Sequence, residues 1–251
     1  MQLTGNGNYV VYSDTFCGFH ITHGQPCTVS TTHPAQTGTT YQGNGYQGAD
    51  HGLETVNADG EITSVTDYDG NEYPVVQIGS QCWLADNMRC THAPSTGTYI
   101  VNNQFTTGTS IAYTYTGKMA RWYNNDSATY ASKHYGLLYN WNAAVDVYNT
   151  SYGELSVNTS SNNAVPQTFT GNRQGICPRG WHVPSDDEWT SLTDYVSSQS
   201  SYQCSGNSGN IGKALASIEY WSSYSGECYP GDQSQHANNA TGFASPSWAS
   251  A

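Results

Sequence analysis

GICPRGWHVPSDDEWTSL, residues 175–192, places His182 just ahead of three consecutive acids, Asp186, Asp187 and Glu188. Such a grouping reads either as a catalytic or metal-binding cluster or as the start of a helix. Ser185-Asp186-Asp187-Glu188 has the S-x-x-E spacing. In that pattern the serine side chain accepts from the backbone N–H three residues on, while the glutamate reaches back to the serine N–H. Pro184 and Trp189 stand where a hydrophobic staple would close, and the aspartates fall where the positive end of the helix dipole favours anions. Trp189, Leu192 and Val196 then form one apolar face at helical spacing. The stretch therefore predicts a helix start. The extended run GWHVP is expected to carry His182 away from the two aspartates, as a half-buried, hydrogen-bonded histidine rather than a ligand or base.

Upstream, ITSVTDYDGNEYPVVQIGSQCWLADNMR, residues 62–89, alternates apolar and polar positions on both sides of Asp69-Gly70. This predicts a hairpin, because both turn residues tolerate positive φ. Residues 1–61 are polar and Gly-rich and suggest two or three edge strands; the segment 31–52 has the character of a linker or loop. Residues 97–123 read as further strands. YGLLYNWNAAVDVY, residues 135–148, spaces Leu138, Trp141, Ala144 and Val145 as one helical face and predicts a first helix. Residues 149–172 read as a long excursion. GNIGKALAS, residues 209–217, predicts a third, shorter helix.

At 251 residues the chain can bury a proper core. Only 10% of residues are charged, and 7 Lys+Arg against 19 Asp+Glu leave a formal net charge of -12, so a phosphate backbone or anionic bilayer would be repelled. Nucleic-acid partners are excluded on this ground. The 20 tyrosines and 7 tryptophans fit either a recognition surface of stiff amphipathic rings or a β-rich extracellular protein with aromatic strands. Trp83, Trp141, Trp181 and Trp189 are expected in the core. No apolar run approaches the roughly eighteen residues of a membrane span, and residues 1–20 lack a signal-peptide pattern, so an exported chain would be a processed form or a fragment.

Seven cysteines point to an oxidising compartment, with at least one left unpaired or joined to another molecule. Cys17 and Cys27 flank an HGQPC turn and are expected to close a small disulfide; the spacing Cys17, His20, His23, Cys27 leaves zinc as the alternative. Cys204 and Cys228 are the other expected pair. Asp67-x-Asp69-Gly70-Asn71 resembles a calcium loop, but its glycine stands at position four and the distal glutamate is missing, so a turn is expected there. No cofactor is identified. Calcium stays open at a site built from loops distant in sequence. No serine-hydrolase elbow, zinc-protease, phosphate-loop or dinucleotide motif is present.

Six segments, VTDYDGNEYPVVQIGSQCWLADNMR, ARWYNND, YGLLYNWNAAV, GICPRGWHVPSDDEWTSLTDYV, IGKALAS and ATGF, occur in the order that resembles the Fibrobacter succinogenes major paralogous domain. The resemblance covers residues 62–243, within a domain expected over 62–251 after an N-terminal extension of residues 1–61. It implies an α+β, C-type-lectin-like fold with two main helices, small twisted antiparallel sheets and long loops. It also implies export to the cell surface or medium, commonly as a lipoprotein, and it carries no catalytic residues over. After ATGF the family pattern continues with S-A-x-P-A-G and further strands, whereas this chain reads GFASPSWASA. A truncated domain is expected. Pro246-Ser247-Trp248-Ala249, encoded as CCC-AGC-TGG-GCN, gives Pro-Ala-Gly when read one base later, so a frameshift near residue 244 is one expectation and a fragment end the other.

These readings point to a non-catalytic binding or adhesion module for a glycan or protein ligand. Tyr220, Trp221, Tyr224 and Tyr229 are the candidate contact residues. The alternatives are a structural subunit completed by a partner's strand and, behind it, a lectin-fold enzyme.

Overall fold

The computed structural model describes residues 18–20, 27, 54–101, 118–132, 135–146, 157–158, 163–164, 174–217, 228–229 and 239–243. Its largest sheet is antiparallel, in the spatial order β1 (Gly18–His20), β5 (Gln81–Leu84), β4 (Glu72–Ile78), β3 (Ile62–Thr66), β2 (Glu54–Val56). Residues 1–61, read from sequence as an extension, thus supply the two outer strands. Among the described residues three two-stranded ladders accompany it: β6 (His92–Ala93) with β7 (Thr98–Tyr99), β8 (Ala120–Arg121) with β9 (Leu138–Tyr139), and β10 (Val157–Asn158) with β11 (Asn163–Ala164). The helices are α1 (Ser127–Ser132), α2 (Trp141–Ala144), α3 (Asp186–Ser198) and α4 (Gly212–Leu215). This is a mixed α+β architecture.

Both hairpin turns follow from residue chemistry. Thr66 pairs with Glu72, Gly70 N–H donates to the Asp67 carbonyl at 3.0 Å, and Gly70 takes φ 81. Of the two turn residues expected at positive φ, only the glycine adopts it, as in a type I turn closed by a left-handed residue. Between β4 and β5, Ile78 pairs with Gln81 across Gly79-Ser80; Gly79 has φ 62, the geometry a first central residue of a II′ turn needs.

Alternation along these strands builds two apolar layers. Tyr73, Cys82 and Leu84 face one cluster, which also holds Met88, Tyr139, Ile176 and Trp181. Trp83 and Ile78 face the other, against Leu192 and Val196 of α3, Ala214 of α4 and Phe243. One strand, β5, therefore feeds both layers. Trp83, Trp189 and Phe243 pack as an aromatic triad with ring centroids 5.0, 5.6 and 6.1 Å apart. Trp83 and Trp181 are core residues as expected, while Trp189 is partly buried against the second cluster.

Helix α3 starts as its sequence predicts. Ser185 Oγ accepts from Glu188 N, and Glu188 Oε2 accepts from Ser185 N at 2.7 Å. The helix expected over 135–148 is corrected: Leu138 and Tyr139 form a strand, and helix is confined to Trp141–Ala144. Tertiary hydrogen bonds take the backbone first. Leu137 N donates to Met88 O at 2.8 Å and Asn140 N to Met119 O at 2.9 Å. Gly136 at φ 73 has Met88 O only 2.6 Å from where a Cβ would sit, so the chain passes there in a conformation closed to other residues. Asn140 Oδ1 then accepts from Ala143 N at 2.9 Å and starts α2. No helix among the described residues is long and apolar enough to cross a membrane.

Candidate functional site

The acid cluster of the opening stretch is structural. His182 is 1% exposed, and its Nε2 lies 2.7 Å from Glu188 Oε1. His182 is hydrogen-bonded as expected but buried rather than half-buried, because the first turn of α3 brings Glu188 back to the extended run. Burial acts to raise the Glu188 carboxyl, but the His182 hydrogen bond and charge, with the Ser185 bonds, outweigh it and hold the group below its ordinary value. Asp186 and Asp187 are exposed in the first turn. Both side chains of the pair are buried.

Chemistry at the surface gathers at the other end of β3 and β4. Asp67 is fully buried and accepts from Asp69 N at 2.9 Å, Asn71 N at 3.0 Å and Tyr73 Oη at 2.6 Å. Burial raises its carboxyl above the ordinary value, while the hydrogen bonds from Tyr73 and Asn71 oppose the rise. Tyr73 Oη in turn accepts from Arg89 N at 2.9 Å, and the Arg89 guanidinium stacks 4.5 Å above the Tyr73 ring. The turn is thereby fixed from below.

With Asp67 holding the turn, Asp69 is directed across to the next hairpin. Its Oδ2 accepts from Thr91 N at 2.5 Å and Thr91 Oγ1 at 2.7 Å, and its Oδ1 meets His92 Nδ1 at 2.6 Å. His92 opens β6, directly opposite Tyr99 on β7. The two rings meet edge to face with centroids 5.3 Å apart, and the Tyr68 ring lies 6.1 Å from His92. Gly97 makes this closure fit: a Cβ there would stand 2.6 Å from the Tyr68 hydroxyl.

Tyr99 is 60% exposed and Tyr229 52%, the two exposed large hydrophobics among the described residues. The His92 side chain is 35% exposed. Tyr68, His92 and Tyr99 thus form a shallow aromatic face, with an imidazole oriented by a carboxylate. Among the described residues the hydroxyl and thiol nearest to it are already engaged or buried. Thr91 Oγ1 approaches His92 at the nitrogen already engaged by Asp69, 3.1 Å away. The Cys90 thiol is buried, and burial, with the Asp67 and Asp69 charges behind it, pushes it well above its ordinary range.

A family model described as the Fibrobacter succinogenes major domain matches residues 76–249. The chain belongs to this family. Searches of curated proteins and of solved structures each found no match. The span matched to the major domain includes His92, Tyr99 and α3, while Tyr68 and Asp69 precede it. In this major-domain chain the carboxylate that orients His92 thus comes from a hairpin tip outside the matched span.

The residues singled out in sequence distribute unevenly. Tyr229 is exposed beside Cys228, whereas Tyr220, Trp221 and Tyr224 lie outside the described residues. Cys204 and Cys228 form the expected disulfide. The Cys17–Cys27 pairing is corrected, because Cys27 is bonded to Cys82, 55 residues away. Pairing of β1 with β5 and donation from Ile62 N to Cys27 O at 2.5 Å bring that cysteine over the sheet. The zinc alternative loses its fourth ligand by the same bond. Cys177 is also disulfide-bonded, and Cys90 is the free thiol among the described residues. Among the described residues no group of three or more His, Cys, Asp or Glu side chains could hold a metal.

His92 and Tyr99 escaped sequence reasoning because their strands are two residues long. The available signal was the turn run HAPSTGTY, residues 92–99, which brackets a histidine and a tyrosine with turn formers.

Proposed function

We propose that the protein is a non-catalytic binding or adhesion module of the cell surface or medium, recognising a glycan or protein ligand. One observation carries the reading: Tyr99, a large aromatic left 60% exposed, is braced against an imidazole held by Asp69. Rigid aromatic area beside oriented polar groups is what recognition surfaces use, since two-torsion rings lose little entropy on binding. The Cys27–Cys82 and Cys204–Cys228 disulfides favour an oxidising, extracytoplasmic setting. A C-type-lectin-like framework is the finer fold reading, supported by the family resemblance and by the combination of one long helix, small antiparallel sheets and loop-borne surface groups. The test is a combined glycan and protein array probed with the purified chain, with and without calcium. Saturable, specific retention of at least one class is expected; its absence across both classes would overturn the reading.

A further inference from the structure

We propose that Tyr99 and His92, walled by Tyr68, form a subsite for one uncharged pyranose ring of a saccharide; this rests on the binding reading above. A pyranose presents a patch of axial C–H bonds on one face and hydroxyls around its rim. Tyr99 supplies the matching face: its ring is solvent-facing and held edge-on by His92 at a centroid distance of 5.3 Å. His92 supplies the rim contact. Its Nδ1 is occupied by Asp69 at 2.6 Å and Thr91 Oγ1 at 3.1 Å, which leaves Nε2 as the second polar atom of a side chain that is 35% exposed. That nitrogen can exchange a hydrogen bond with a sugar hydroxyl in a direction fixed by Asp69.

The charge pattern selects the ligand class. Asp69 stands directly behind His92, and the chain carries a net charge of -12, so a uronate or sulfated sugar would meet repulsion. Both Asp69 oxygens are committed to Thr91 and His92. The carboxylate is therefore not available to clasp a sugar-bridging cation. A neutral ring satisfies the face without either difficulty.

The experiment uses the intact chain on a printed array holding both neutral and anionic glycans. The best-retained neutral glycan is then titrated by calorimetry against the wild type, Tyr99→Ala, Tyr99→Phe, His92→Ala and, as a control on the exposed side of α3, Thr190→Ala. Tyr99→Ala and His92→Ala are each expected to weaken binding about tenfold, as loss of one ring contact or one oriented hydrogen bond does, while Tyr99→Phe and Thr190→Ala stay near the wild type. Amide shift changes in the wild-type protein on titration with the same glycan are expected to centre on residues 91–99, a readout independent of whether a variant folds. Neutral-glycan binding that ignores both substitutions and shifts amides elsewhere overturns the subsite and leaves the binding reading standing. Retention of anionic glycans or proteins alone has the same consequence. No retention of any kind overturns both.

Discussion

His182 Nε2 sits 2.7 Å from Glu188 Oε1, and the other oxygen of the same carboxylate closes the capping box with Ser185 N at 2.7 Å. One side chain thus serves Nε2 of a buried histidine and a helix terminus together. Gln81 extends the arrangement by donating to the Glu188 carbonyl at 3.0 Å, which ties the helix start to β5. The three adjacent acids are therefore unequal. Glu188→Ala is expected to destabilise the fold by about 3–5 kcal/mol, because it leaves a buried histidine unpaired and opens the cap. Asp186→Asn and Asp187→Asn act only on the helix dipole and are expected to cost about 0.3–1 kcal/mol each. Urea unfolding of the three variants checks this, and equal losses would sink it.

The same carboxylate sets a pH dependence. Its folded value is depressed below the ordinary 4.5, so its contribution is present above that value and is lost as pH falls through the folded value. Asp67 and Asp146 work the other way. Burial lifts both above the ordinary 3.8, against the bonds to Tyr73 and Asn71 in one case and to Lys118 and Ser95 in the other. Their stabilising share is present below that value and lost as pH rises through the raised ones. Comparing the wild type with Glu188→Gln tests the first effect: the stability gap is expected to narrow steadily as pH falls below the ordinary glutamate value. Thermal melts across that range measure it, and a gap that widens on acidification contradicts the assignment.

Disulfide loops of different length make a further contrast. The Cys27–Cys82 bond spans 55 residues and Cys204–Cys228 spans 24. In the chain-entropy description, closing the longer loop stabilises by about 4 kcal/mol and the shorter by about 3 kcal/mol. The double variant Cys27→Ser/Cys82→Ser also releases the sequence around β1 from the sheet, so it is expected to melt below Cys204→Ser/Cys228→Ser. Peptide mapping of the unreduced protein is expected to recover residues 27 and 82 in one cross-linked fragment; a Cys17–Cys27 fragment would refute the connectivity.

Features set by neighbours in sequence were legible, and most of those set across the fold, the Cys204–Cys228 disulfide apart, were not. The capping box at Ser185 and Glu188 and the turn at Asp69-Gly70 depend on residues within five positions, and both formed. Periodicity failed at 135–148, because Leu137 and Asn140 donate to Met88 and Met119, partners that a local pattern does not contain. The disulfide partner of Cys27 was hidden for the same reason. At the candidate site, Asp69 and His92 are 23 residues apart and meet only once Asp67 has fixed one hairpin and Gly97 has let Tyr68 close on the next. Aromatic composition drew attention to the Tyr220–Tyr229 stretch, where density of rings is highest. Composition cannot tell which ring the fold leaves uncovered: Tyr229 of that stretch and Tyr99 on β7 are the exposed ones among the described residues.

Lys213 offers the last test, of the opposite sign. It is 1% exposed on α4, next to the fully buried Ala214, and its Nζ has no hydrogen-bond partner among the described residues. An ammonium taken out of water without a partner opposes folding, and the four-carbon stem alone supplies the packing. Methionine keeps an unbranched stem of similar reach and adds no charge to desolvate. Lys213→Met is therefore expected to stabilise the protein by about 1–4 kcal/mol, which raises the melting temperature by several degrees for a chain of this size. Lys213→Ala removes the stem as well and is expected to gain less or to lose stability through the cavity it leaves. Differential scanning calorimetry of the two variants decides the matter: a lower melting temperature for Lys213→Met would show that the ammonium contributes favourably to the folded protein.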